Sequence, residues 1–412
     1  MPESHDPYAS LRIPNFQWFI ASLLTMNLAT QLQAVVVGWQ VYALTHDPLS
    51  LGLIGLAEAL PFIGFALPAG HLADRLSRLG LVRSALGALT LCSATLLVFT
   101  IQAGIVHPGR VWPIYLVIFS SGIARSFLQP SRTALSAELV PRSLYPNAVT
   151  WRSSTWQLAA VLGPALGGLV YGFGSATAAY MVDVVLMVVG VLAITRVSHT
   201  PAVRPATDES VIESLAVGVR FVRSQPVVLG ALTLDLFSVL FGGATALLPV
   251  FAGEILHVGP KGLGLLRAAP AAGAVLMSLV LAHRPPLRRA GRTLFTNVAM
   301  FGVTMIAFGL SRNFLLSLGL LAASGMFDTV SVVVRSTLVQ VLTPDHLLGR
   351  VSSVNAIFIG SSNEIGAFES GVAARLLGTV PSVVAGGLAT LGVVATTALR
   401  VPELRRLREI RQ

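Results

Sequence analysis

Residues 121–144 read SGIARSFLQPSRTALSAELVPRSL, and residues 324–347 read SGMFDTVSVVVRSTLVQVLTPDHL. Ser121, Gly122, Arg132, Leu135, Leu139, Pro141 and Leu144 recur as Ser324, Gly325, Arg335, Leu338, Leu342, Pro344 and Leu347. Gly163 recurs as Gly366, and every pair has the same offset (335 − 132 = 203). Nearer the start of each half, Gly55, Pro61, Gly64, Arg75 and Arg83 recur as Gly264, Pro270, Gly273, Arg284 and Arg292 (292 − 83 = 209). The difference of six (209 − 203 = 6) falls in a longer first-half loop, Gln102 to Trp112. Loops absorb insertions, so one change of register is expected between two related bundles. The chain is written twice.

Composition says where such a chain lives. It has 412 residues, 54% hydrophobic and 11% charged. A soluble domain carries about 25% charged residues. The mean hydropathy is +0.76, so the bilayer must solvate most of the surface. Apolar stretches of about 20 residues span hydrocarbon. Twelve are predicted: 16–44, 50–71, 81–105, 111–136, 146–171 and 176–196, then 226–254, 262–282, 293–311, 314–340, 350–375 and 379–400. Duplication in an apolar chain is a mark of secondary transporters.

The net charge of +10 could suggest nucleic acid, but its placement argues against that partner. With both termini inside, Arg75, Arg78, Arg83, Arg142, Arg220, Arg284, Arg292, Arg350 and the tail Arg405, Arg406 and Arg408 fall on the cytoplasmic side. The opposite loops hold Arg110, Lys261 and Arg312. This is the positive-inside bias. The polar start, Met1 to Pro14, and the long apolar run after it do not read as a cleavable signal peptide. Cys92 is the only cysteine, which excludes an intrachain disulfide. Expected domains are a first bundle at 1–197, a linker at 198–225 and a second bundle with a basic tail at 226–412. The linker becomes amphipathic around Ile212, Leu215, Val219 and Phe221, which predicts a short helix.

Two motifs carry a resemblance. After the second span comes Gly70-His-Leu-Ala-Asp74-Arg75-Leu-Ser-Arg78, where glycine allows a tight helix exit and Asp74 can pair with arginines. In the fifth span comes Gly163-Pro164-Ala-Leu-Gly167-Gly168. Small residues four apart let helices approach closely in lipid, and proline removes a helix hydrogen bond. The first resembles the signature loop of the major facilitator superfamily, departing at Ser77 where that family usually has glycine. The second is similar to that superfamily's antiporter motif, whose repeat copy Gly366-Ala367…Gly371 lacks the proline. The run Gly360 to Gly371 also resembles the branch of enterobactin exporters. The resemblance implies an all-α membrane fold of twelve helices in two pseudo-symmetric six-helix bundles. It implies that Gly70, Asp74, Arg75 and Arg78 form a gate, with Asp74 central.

Ionisable groups inside spans are costly and are functional candidates by default. Arg125 maps to Asp328 (328 − 125 = 203), and Glu58 maps to Arg267 (267 − 58 = 209), each with reversed charge. Asp235 maps to Asn27 (235 − 27 = 208). The resemblance makes the first, fourth, seventh and tenth spans line a cavity. Asn27 and Gln31 are four apart, Arg125 and Gln129 likewise, and Asp328 and Arg335 share a face seven apart. Asp235 or Asp328 is expected to bind a coupling proton, with Arg125, Glu58 and Arg267 as partners. Burial favours the neutral acid and a nearby arginine the charged one, so conformation can switch proton affinity. Asn27, Gln31, Gln129, Glu364 and Glu369 are expected cavity residues. Asp183 reads as a bridge between helices of one bundle. Arg132 and Arg335 read as anchors at cytoplasmic helix ends.

No GxxxxGK[ST] loop is present, which excludes ATP-driven transport of that type within this chain. The eight histidines form no close metal-ligand pattern, and no cofactor or metal is expected. Glu364 and Glu369 are five apart, about 140° around a helix, which disfavours a paired-acid intramembrane enzyme. The expected function is proton-coupled efflux of small amphipathic or hydrophobic molecules by alternating access, by a monomeric multi-pass protein of the cell membrane. A uniporter or importer of a small metabolite or lipid-like substrate is the alternative, and a receptor a further one.

Overall fold

The computed structural model describes residues 6–102, 104–198, 211–242, 244–284 and 289–407. Its elements are helical, with no β-strand among the described residues. The first half runs α1 (Pro14–Thr45), α2 (Pro48–Arg75), α3 (Arg78–Ile101), α4 (Trp112–Glu138), α5 (Tyr145–Phe173) and α6 (Ala176–Thr195). The linker helix is α7 (Val211–Ser224). The second half runs α8 (Pro226–Gly242), a short α9 (Leu248–Val250), α10 (Gly259–Ala282), α11 (Ala290–Leu310), α12 (Phe314–Leu342), α13 (Asp345–Leu377), α14 (Thr379–Arg400) and α15 (Pro402–Arg406). Among the described residues, ten helical stretches are long and apolar enough to cross a membrane. Neither α4 nor α13 is among those ten; α4 carries Arg125 and Arg132, and α13 carries Glu364 and Glu369.

Local chemistry sets the helix ends. Ser77 and Ser175 accept backbone N–H bonds from Gly80 and Ala178, and Asn313 accepts one from Leu316, capping α3, α6 and α12. Gly378 ends α13 at φ 92°, a conformation glycine adopts without a Cβ clash. One sequence expectation needs correction. The helix exit is not at Gly70: α2 continues to Arg75, and a Cβ on Gly70 would meet no atom within 4 Å. The seventh span stands as expected, running Pro226–Ile255, but it is not α-helical throughout. Its described part is α8, then a 3₁₀ turn (Ala244–Leu247), α9 and a π turn (Phe251–Ile255). Pro249 lacks the N–H that a regular α-helical ladder needs.

The chain forms two compact units. Unit 1 comprises Met1–Gln40 and Leu60–Asp208; unit 2 comprises Val41–Ala59 and Glu209–Gln412. The core of unit 1 joins Phe16, Phe19 and Met26 of α1 to Leu86 of α3, Leu128 and Leu135 of α4, and Met187 of α6. In unit 2, Leu294 and Val298 of α11 pack with Val330, Val334 and Leu338 of α12. The predicted amphipathic linker helix is α7, and its Leu215, Val219 and Phe221 pack on Val228, Val339 and Val351. The last turn of α1 and the start of α2 belong to unit 2. There Asp47 pairs with Arg375 at 2.7 Å, Tyr42 donates a hydrogen bond to Glu254, and a Cβ on Gly52 would stand 3.0 Å from the Gly371 Cα.

Candidate functional site

The duplicated seams position the polar centres. In unit 1, α5 lies on α1: a Cβ on Gly163 would stand 3.0 Å from the Leu28 carbonyl oxygen, and one on Gly167 2.9 Å from that of Leu32. Pro164 and Gly168 are buried in the same stretch of α5. Backbones this close need residues without side chains. In unit 2, α12 lies on α10, where a Cβ on Gly325 would overlap the Pro270 carbonyl oxygen.

Unit 2 holds a buried ion pair. Asp235 Oδ2 of α8 pairs with Arg335 Nη1 of α12, and the residues are 7% and 3% exposed. Arg335 is therefore not a helix-end anchor; it lies two turns inside α12 and neutralises an acid. Asp328, one face-repeat earlier on α12, lines a small cavity with Asp235, Ser238, Ser331, Phe301 and Phe327. Two acids and an arginine thus share one site. Removing two charges from water is expensive, and only close pairing offsets the cost. Arg267 of α10 interacts electrostatically with Glu364 of α13. Glu369 lines a separate small cavity with Ser370, Ser382 and Phe241, so the two glutamates stand in different surroundings.

Unit 1 holds a different centre. Asp183 of α6 is 0% exposed, and its Oδ2 accepts a bond from Gln33 Nε2 at 2.8 Å. The same nitrogen donates to Ser93 Oγ of α3 at 2.9 Å, and Arg125 of α4 acts electrostatically on the carboxyl. Seven residues along α1, Gln40 accepts from Tyr180 at 2.7 Å and donates to Thr100 at 3.2 Å. Asp183 bridges helices of one bundle, and Arg125 is set toward it. Asn27 is buried, Gln31 packs its Cβ against Gly163, Gln129 is exposed, and Glu58 is half-buried. Of the loop residues, Arg78 pairs with Glu138 at 2.6 Å inside unit 1. Asp74 and Arg75 form the last turn of α2, and their side chains lie outside the described residues. Gln33 and Gln40 were not singled out by sequence; their seven-residue spacing on an apolar span was the available signal.

The profile of the transmembrane secretion effectors, a family of the major facilitator type, matches residues 5–411. The chain belongs to that family. It is 25% identical over 392 residues to the enterobactin exporter EntS of Shigella boydii serotype 18, covering 95% of this chain and 92% of the relative. The EntS of Citrobacter koseri is 26% identical over the same length. The fold is similar to a peptide transporter POT in complex with sulfate, with a TM-score of 0.74, 12% identity and coverage of 98% and 100%. It is also similar to a bacterial homologue of the lysosomal transporter Spinster, with a TM-score of 0.69, 13% identity and coverage of 97% and 99%. This chain is a multi-pass membrane transporter of the major facilitator type. Its family and these structural relatives are transporters, not enzymes.

Proposed function

We propose that the chain exports small amphipathic or hydrophobic molecules in exchange for protons. It works by alternating access as a monomer in the inner membrane, with both termini cytoplasmic. Bundles at 1–197 and 226–412, joined by the linker at 198–225, rock about a midplane site, and Gly70, Asp74, Arg75 and Arg78 gate one side. The relatives named as exporters support the direction. One observation carries the coupling: the buried Asp235–Arg335 pair shares its cavity with a second acid, Asp328. A proton on Asp235 dissolves the ion pair and frees Arg335, so proton binding changes what holds α8 to α12. Asp328 stands ready to take the released guanidinium or the proton. Arg267, Glu58 and Arg125 tune the charge of this path, and Asn27, Gln31, Gln129, Glu364 and Glu369 contact substrate.

The test uses everted vesicles with an imposed pH gradient and enterobactin, the cargo named for the relatives, as first probe, followed by a counterflow screen. Asp235→Asn and Asp328→Asn should each uncouple uptake from the gradient while leaving counterflow intact. If both variants keep full gradient-driven flux, this proton site is wrong.

A further inference from the structure

The repeat gives three pairs of equivalent positions whose summed charges differ. In unit 2 they hold Asp235, Arg335 and Asn355; in unit 1 the equivalent positions hold Asn27, Arg132 and Arg152 (235 − 27 = 208; 335 − 132 = 203; 355 − 152 = 203). The position of the acid that neutralises Arg335 holds an amide in the first half, and the position of Asn355 holds a second arginine. Summed over these three positions, unit 2 is neutral and unit 1 carries two positive charges.

The structure brings those charges together. Arg132 of α4 and Arg152 of α5 are both half-buried, and the guanidinium of Arg152 acts on Arg132 electrostatically. Among the described residues, neither forms a salt bridge with an acid. One terminal nitrogen of Arg152, Nη1, is sealed from solvent without a hydrogen-bond partner among the described residues. A buried donor left unpaired costs more than a bond gains, and more still when charged. Like charges in a poorly solvated place repel strongly. Guanidinium forks match the oxygens of a planar or tetrahedral oxyanion, which accepts bidentate bonds from them. Trp156 stands one turn beyond Arg152 on the same helix face and is exposed, offering an apolar surface beside the charge.

We propose that Arg132 and Arg152 form an oxyanion-binding site in unit 1, for the phosphate, sulfonate or carboxylate group of an amphipathic anion. The ligand is either a soluble anion or an anionic phospholipid headgroup. The inference goes beyond the efflux reading and holds whether or not protons drive transport.

The test is calorimetric binding to the full chain in phosphatidylcholine nanodiscs, comparing benzenesulfonate with its neutral analogue benzenesulfonamide. The expected preference for the anion is about tenfold. It should vanish in Arg132→Gln/Arg152→Gln and be reduced but not abolished in Arg132→Lys/Arg152→Lys, which keeps the charge without the fork. Weaker sulfonate binding in nanodiscs containing phosphatidylglycerol marks a headgroup as the occupant, and unchanged binding marks a soluble anion; either upholds the site. No preference in the wild type, or an unchanged preference in the double glutamine variant, overturns it. Arg152→Gln alone should keep or raise the thermal midpoint, because it removes repulsion. A lower midpoint would mean that Arg152 has a structural partner, and this too overturns the proposal.

Discussion

The two units use one seam and fill it differently. In unit 1, Gly163 of α5 meets Leu28 and Gln31 of α1; in unit 2, its counterpart Gly366 of α13 meets Val239 and Leu240 of α8. Leu240 is itself the counterpart of Leu32 (240 − 32 = 208). Gly366 thus makes the contact that Gly167, one turn beyond Gly163, makes in unit 1: an added Cβ stands 2.9 Å from the Leu32 oxygen in one and 2.9 Å from the Leu240 oxygen in the other. The polar chemistry does not agree. Unit 2 neutralises its buried arginine with Asp235, while unit 1 buries Asp183 on Gln33 and leaves Arg132 beside Arg152. Backbone packing tolerates almost no change, so duplication preserved it. Side chains facing the interior were free to diverge, and their divergence distinguishes the halves.

The sharpest way to break this comparison is at the ion pair. Arg335→Leu leaves Asp235 buried without its partner and should cost about 3–5 kcal/mol, read from the unfolding midpoint. Asp235→Leu combined with Arg335→Leu should restore most of that stability, because replacing a whole buried pair with apolar groups is often neutral. Additive losses would show that the pair is not the unit of stability. The seam comes next. Gly325→Val forces a side chain into the Pro270 carbonyl, where only backbone can move. Its expected cost is about 3 kcal/mol, at the upper end for overpacking. In unit 1, Gln33→Leu removes the donor shared by Asp183 and Ser93 and should cost about 2 kcal/mol. Wild-type stability in that variant would mean that the Asp183 centre does not depend on Gln33.

Much of the fold was legible because the bilayer imposes a simple rule. A span needs a long apolar run, and the predicted 314–340 and 379–400 became Phe314–Leu342 and Thr379–Arg400. The glycine pattern also survived translation, since close helix contact has few chemical solutions. The site was less legible. Offsets between repeats identify equivalent positions, not neighbours, so Arg125 and Asp328 were matched although each faces into its own unit's chemistry. Arg335 looked like an anchor because it lies near a helix end in sequence, yet burial depends on what packs across from it. The useful signal was subtler: an acid appeared at 235 where the first copy has Asn27. Gln33 and Ser93 carried no charge to draw attention, and their role emerges only when α1, α3 and α6 converge.

The smallest effect concerns the place where this chain departs from its family's loop. Ser77 stands where glycine is usual, and its Oγ accepts the Gly80 N–H at 3.2 Å, capping α3 just before the Arg78–Glu138 pair. The second-half counterpart at 286 lies outside the described residues. Ser77→Ala leaves an orphan donor at the helix start and should cost about 1 kcal/mol. Ser77→Gly, which restores the family residue, should cost only about a few tenths, because glycine lets water reach the same N–H. Measuring both midpoints separates the cap from the loop. If alanine and glycine lose equally, the hydroxyl bond does not matter and Ser77 is a neutral departure. If alanine alone loses, a capping hydroxyl has taken the place of glycine's backbone freedom, and the start of α3 is held by the Ser77 side chain.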